Sequence, residues 1–441
     1  MRISAIYANR SLRWPWRGVL SLTGCLACLA FVADGSTRAA DRAAVVVAGD
    51  ETLLLKRTAI DKPWQLAKDL DTLSDGAQVV GSVGAAIDSF NGGVRAILRG
   101  DIKGISPFPV LETSLTFRTA KDVDLAFEMD RGRVDLVNRK SSGAAKVRIT
   151  IRGKSGEIVL PQPGDRLVVE MFGRWARGVR FTKTPKLTDA PALALVFVAV
   201  RGEPTVKGPE MTFALKAPPG QALLLFEDVA DPSPLIEVLD SVPEWIDPKA
   251  DDLQAKLLAN VALFKTLAAK KSIGEALSEM SLSDDASARR GAVVLMGATD
   301  DLSRLAEAMA TTKHADVWDN GVVVLRHWIG RGPGQDAKLY AALTEKAKIP
   351  AAEAEIIMQL FHSFGSDDLR KPELYQTLID FLDNERLAIR GLAYWHLIRI
   401  VPQGKSIGYN PHGAKEAQAK AIKAWQALVP AGSLPGEIRN P

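Results

Sequence analysis

The sequence predicts an α+β chain in two parts: an N-terminal all-β sandwich or roll, then a C-terminal α-helical stack. Three observations carry this expectation. Between residues 113 and 226 apolar side chains alternate with polar ones at a period of two. Beyond about residue 250 the period becomes 3.6. Within the helical part, a motif at 282–292 returns 100 positions later.

The first 40 residues read as an export signal. Arg2, Arg10, Arg13 and Arg17 precede an apolar run over 18–33, and small residues follow to Ala40. An uncleaved anchor and a lipoprotein box ending in Cys25 are the alternatives. Both cysteines, Cys25 and Cys28, lie in this segment, so the remaining chain has no disulfide, thiolate metal site or cysteine nucleophile. Without residues 1–40 the chain carries 51 basic and 51 acidic residues, which removes any global field for nucleic acid.

Residues 41–226 form the expected β-rich domain. Ala44–Val47, Thr52–Leu55 and Val94–Leu98 read as strands, and Trp64–Leu70 as a helical turn. The central strands follow. Leu115 and Phe117 alternate with polar neighbours, as do Val123 to Met129 and Val147 to Ile151. Turn signals at Asp130-Arg131-Gly132, Ser141-Ser142-Gly143, Lys154-Ser155-Gly156 and Pro163-Gly164-Asp165 punctuate them. Ala192–Val200 is apolar throughout, as a strand buried on both faces would be. Met211–Leu215 and Ala222–Phe226 complete the set.

Residues 227–250 are rich in proline and acid and are expected to be a linker, with a short helix at Leu235–Leu239. The helical domain spans 251–430, and 431–441 are a loose tail. Leu253, Leu257, Leu258, Val261 and Phe264 share one face of the first helix. Leu282, Ala288, Arg290 and Gly291 match Leu382, Ala388, Arg390 and Gly391 in place. Weaker copies near Asp319 and Ala354 give a period of 30–40, the mark of stacked helix pairs. Lys415 to Leu428 closes the stack, with Ile422, Trp425 and Leu428 on one side.

Several stretches together resemble a known family. Asp122-Val123-Asp124-Leu125, the run Asp130 to Asn138, Leu160-Pro161-Gln162-Pro163-Gly164 and Phe172-Gly173-Arg174-Trp175 resemble the FecR-like β domain of exported planctomycete-type proteins. Leu382 to Trp425, with Ile407-Gly408-Tyr409-Asn410-Pro411, resembles the HEAT-like helical repeats that accompany it. The resemblance implies a non-catalytic protein of the periplasm or cell envelope. FecR proteins proper are sensors with a cytoplasmic domain ahead of their membrane span, and residues 1–17 are too few to fold as one.

No motif for catalysis, a cofactor or a metal stands out. The five histidines, His314, His327, His362, His396 and His412, form no i, i+3 or i+4 metal pair. No Gly-x-Ser-x-Gly elbow occurs. Asp284-Asp285, Asp300-Asp301 and Asp367-Asp368 each precede a helical segment and read as N-caps. Gly330-Arg331-Gly332-Pro333-Gly334 follows a helix and reads as a plain loop. Trp318, Trp328, Trp395 and Trp425 read as core.

The one local oddity is charge. From Arg131 to Lys186 there are 14 Lys and Arg against four acidic residues. An anion-binding face built from Arg131, Arg133, Arg148, Arg152, Arg174 and Arg177 is one expectation, with an anionic glycan or lipid head group as ligand. A solvated strand face is the plainer one. The leading function is that of an exported scaffold or adaptor that meets another envelope protein through its helices. An unrecognised hydrolase ranks last. Aromatics are not interleaved with the basic residues, which argues against single-stranded nucleic acid.

Overall fold

The computed structural model describes residues 42–436, apart from 50–51, 82–83, 101–109, 185–189, 209–210, 219, 227–234, 244–245 and 247–251. The signal or anchor at 1–40 and most of the acidic, proline-rich stretch of 227–250 lie outside the described residues. Strands come first and helices second, as the change of period predicts.

The strands are β1 (Arg42–Val47), β2 (Leu54–Arg57), β3 (Gln65–Leu66), β4 (Thr72–Ser74), β5 (Gln78–Gly81), β6 (Ala85–Ser89), β7 (Val94–Arg99) and β8 (Thr113–Arg118). They continue as β9 (Leu125–Asn138), β10 (Ala145–Ile151), β11 (Lys154–Leu160), β12 (Arg166–Arg174), β13 (Ala192–Arg201), β14 (Thr205–Lys207), β15 (Thr212–Ala214), β16 (Gln221–Phe226) and β17 (Leu235–Val238). They make two sheets that share β9. One sheet runs β4–β1–β6–β7–β9–β12–β13–β16–β17, antiparallel throughout. The other runs β3–β2–β5–β8–β9–β10–β11–β14–β15, with β9 and β10 parallel. Their facing sides bury one core that includes Leu73, Ile87, Phe117, Phe127, Leu136, Val147, Leu167 and Phe197.

The shared strand explains one departure from expectation. Asp130-Arg131-Gly132 is no turn but a bend inside the 14-residue β9. The register opposite β8 shifts there, so a bulge changes the phase of alternation. Phe127 and Met129 face the core before it, Val134 and Leu136 after it. Gly132 has φ +106°, and a Cβ there would meet Thr113 Cα at 2.3 Å, so only glycine fits.

Three other local expectations are corrected. The β10–β11 turn falls on Arg152-Gly153, both at positive φ (46° and 78°), two residues before Lys154-Ser155-Gly156. That is the primed geometry a two-residue hairpin needs. Trp64–Leu70 is not helical. Gln65 and Leu66 pair with β2, and Leu70 has φ +63°. Leu235–Val238 is strand β17, paired with β16, rather than a short helix in a linker. Short apolar runs suit either state, and the available strand partner decides.

The helices are α1 (Asp252–Ala268), α2 (Ile273–Met280), α3 (Ala286–Ala298), α4 (Leu302–Thr311), α5 (Ala315–Gly330), α6 (Gln335–Ala341), α7 (Ala351–His362), α8 (Pro372–Asp380), α9 (Leu387–Ile400) and α10 (Lys415–Leu428). They stack in pairs: α2 with α3, α4 with α5, α6 with α7, α8 with α9. Helices α3, α5, α7 and α9 form a continuous row and begin 29 to 36 residues apart. In α1, Val261 and Phe264 are buried, while the side chains of 252–258 lie outside the described set. In α10, Trp425 is fully buried but Leu428 is exposed, against expectation. Among the described residues no helix is long and apolar enough to cross a membrane.

The internal repeat is real in geometry but shifted by one position. Arg289 donates to the carbonyls of Ser283 and Asp284, and Arg390 to those of Asn384 and Glu385. The equivalent arginines are therefore Arg289 and Arg390, 101 positions apart, each tying down the loop that precedes its helix. The chance match of Arg290 to Arg390 hid this.

Candidate functional site

Strand β12 runs into the C-terminal end of α5, and the sequence makes close approach possible there. A Cβ on Gly173 would sit 2.4 Å from the Gly330 carbonyl oxygen, and one on Gly330 would sit 2.7 Å from the Gly173 oxygen. Two glycines thus let backbone lie on backbone. The Trp175 indole donates to the Ile329 carbonyl at 3.1 Å, satisfying a helix-end acceptor. A second glycine contact, Gly178 against Gly365, seats the following segment beside the end of α7. Phe181 then packs on Tyr340 and His362. These contacts fix the arginines of 174–177 against the helices.

Two cavities open along this junction. The larger, about 310 Å³, is lined by both signs of charge: Glu128, Asp130 and Asp300 with Arg131, Arg152 and Arg331. Beneath it lies a buried cluster. Glu112, 1% exposed, accepts from Arg131 at 2.5 Å and from Arg331 at 2.7 Å. Arg131 also donates to the Ala298 carbonyl, and Arg331 to Asp300 at 3.1 Å. Burial alone would raise the Glu112 carboxyl, but the two guanidiniums outweigh it and hold it at about 2. Burial and repulsion from Arg131 push Arg331 down to about 10. With its charges paired, this cluster is a joint between sheet and helices.

The smaller cavity, about 190 Å³, differs in kind. Arg174, Arg177 and Arg326 line it, with Trp175, Trp395 and Phe361 among its walls, and among the described residues no carboxylate does. Arg326 of α5 hydrogen-bonds to nothing and pairs with no carboxylate among the described residues. Its guanidinium lies over the Trp395 ring at 5.2 Å, and Arg399 lies over the same ring at 3.8 Å. Burial, and repulsion from Arg177, Arg399 and Arg174, push Arg326 down to about 10. Arg177 is exposed, so the cavity opens to solvent on its side. Trp395 Nε1 and His327 Nδ1, from two lining residues, are buried without a hydrogen bond among the described residues. Burial holds His327 down to about 4, so its ring is neutral at neutral pH.

The six arginines expected to share one face do not. Arg131 and Arg133 are buried, the latter paired with Glu170 across the β9–β12 register at 2.5 Å. Arg148 is half-buried on β10 opposite Glu157. Arg152 lies in the hairpin turn, not on the same strand, and donates to the Pro191 carbonyl. Arg174 and Arg177 come together at the smaller cavity, and Arg131 and Arg152 at the larger one, where carboxylates also lie. Part of the local excess of positive charge is met by carboxylates from outside the stretch: Glu112 meets Arg131, Asp124 meets Lys140 and Glu355 meets Lys183. Within it, Asp135 binds Arg166 through both oxygens.

Sequence reasoning missed Arg326, Arg331 and Arg399. Each sits on or just after a helix whose neighbours are set by stacking, and no local pattern marks them. Other readings fare better. Asp285 and Asp301 cap α3 and α4 through their side chains. Asp300 instead has φ +61° and accepts from the Trp328 indole at 2.8 Å. Asp368 lies in a short helical turn before α8, whose cap is Lys371. His396 is buried against the Leu360 carbonyl at 2.7 Å. Trp395, read as core, borders the smaller cavity. Among the described residues no group of three His, Cys, Asp or Glu side chains is placed to hold a metal.

No family model, curated protein or solved structure matches this chain.

Proposed function

We propose that this chain is a non-catalytic binding protein of the cell envelope that takes an anionic ligand at the junction of sheet and helices. One observation carries the reading: among the described residues, Arg326 borders a cavity that no carboxylate lines, beside Arg174 and Arg177, and has no counter-ion of its own. A guanidinium withdrawn from water without a counter-charge is costly, and a bound anion offsets that cost. Guanidinium is also the side chain best matched to carboxylate and phosphate oxygens. The envelope assignment rests on the Arg-rich start and apolar run of residues 1–33. Scaffolding through the helical stack is the weaker reading, because β12 and the segment around Phe181 already cover the flank of α5 to α7.

The test is thermal melting of the purified protein in low salt against a panel of inorganic and organic anions. At least one anion raises the melting temperature of the wild type, less so as NaCl rises, and leaves Arg326→Gln unmoved. If no anion raises it, or if Arg326→Gln responds like the wild type, the reading fails.

A further inference from the structure

We infer that the ligand of the arginine-lined cavity is an organic anion, an acidic oxyanion head carried on an apolar body, rather than a bare inorganic ion. The inference rests on the anion-binding reading above and adds the class of ligand.

The lining is divided by chemistry. Charge comes from Arg174, Arg177 and Arg326. Most of the remaining lining is apolar or aromatic, supplied by Phe172, Trp175, Val323, Ile329, Phe361 and Trp395. A bare phosphate or sulfate needs a donor toward each oxygen, and such walls offer it nothing. An apolar body gains from the same walls by leaving water. The volume, about 190 Å³, is several times the roughly 30 Å³ a water molecule occupies in the liquid. There is room for a body of several carbon atoms behind an acidic head.

The walls are also held in place. Trp175 packs on His362 with ring centroids 4.7 Å apart, and Phe172 stacks on His327 at 5.7 Å. Trp395 lies under both Arg326 and Arg399. Aromatic surfaces fixed in this way form a preorganised pocket, which lowers the entropy lost on binding.

Titration calorimetry separates this inference from the broader reading. The probes are benzoate and phenyl phosphate, their bare counterparts acetate and inorganic phosphate, and the neutral benzamide. On the wild type each aryl anion is expected to bind at least about tenfold tighter than its counterpart, and benzamide not measurably. The ratio of benzoate to phenyl phosphate then reports which head group the arginines prefer. Val323→Phe, which fills the cavity and leaves its arginines, should erase the tenfold margin. Arg326→Gln should abolish all anion binding. If acetate and phosphate bind as tightly as the aryl anions in an Arg326-dependent way, this inference is overturned and the anion-binding reading stands. If no anion binds, both fall. The wild-type ligand series decides the matter even where Val323→Phe fails to fold.

Discussion

Replacing Glu112 with Gln tests the joint between the two parts of the molecule. Gln keeps the shape and removes the charge, leaving Arg131 and Arg331 facing each other in the interior. Glu112 is 1% exposed, so solvent screening is slight. Its carboxyl is held at about 2 against an ordinary 4.5. At about 1.4 kcal/mol per unit, the folded state favours the charged form by about 3 kcal/mol at pH 7. Breaking a buried pair by removing one partner costs about 3–5 kcal/mol, in the same range. The assay is urea unfolding at pH 7 followed by tryptophan fluorescence. Trp328 is a nearby reporter, because its indole donates to Asp300, which also binds Arg331. Glu112→Gln should lose about 3–5 kcal/mol. The double variant Glu112→Met with Arg331→Met should lose less than its two single changes added together, by about 1–3 kcal/mol. A loss under about 1 kcal/mol for Glu112→Gln, or strict additivity in the double variant, would refute the claim that this cluster joins the parts.

Gly173→Ala should destabilise the protein by about 1–3 kcal/mol, because its new methyl meets the Gly330 oxygen 2.4 Å away. It should also weaken anion binding, since β12 and α5 carry the arginines apart; an unchanged melting curve would contradict the contact. Acid should act through two buried histidines. Burial lowers His327 to about 4 and His396 to about 3, from 6.5. Their folded values are depressed, so this stability is present above pH 6.5 and is lost as pH falls toward the folded values. At pH 5 the loss is about 2 kcal/mol for each histidine, measurable as a lower urea midpoint than at pH 7. His396→Gln should remove about half of that pH dependence, and an identical slope in the variant would count against the assignment.

The order of strands and helices was legible in the sequence because periods of 2 and 3.6 are properties of the local chain. Phe117, Phe127 and Val147 could be assigned to a core from alternation alone, and Asp285 and Asp301 to helix caps from position alone. The paired layout of helices was visible in the spacing, though a neighbouring arginine displaced its register by one. Where two local outcomes have similar energy, tertiary contact chose between them. Gln65-Leu66 and Leu235–Val238 became strands because a strand edge was there to pair with. Asp130-Arg131-Gly132 carries turn chemistry, yet serves as the bulge by which one strand belongs to two sheets.

The candidate site belongs almost wholly to the tertiary structure. Arg174 and Arg177 stood out as part of a basic stretch, but so did Arg131 and Arg133, which the fold buries against Glu112 and Glu170. Charge along a sequence does not say which carboxylate will lie opposite, because ion pairs here span up to 219 positions. Arg326 comes from a helix far along the chain from Arg174 and Arg177, brought beside them by the contact of Gly173 with Gly330. The sequence determined that a strand-rich part would precede a helical part, since the two periods depend on neighbours a few residues apart. Only the tertiary structure decided which charges are neutralised and which face a cavity, since that depends on distances that folding creates.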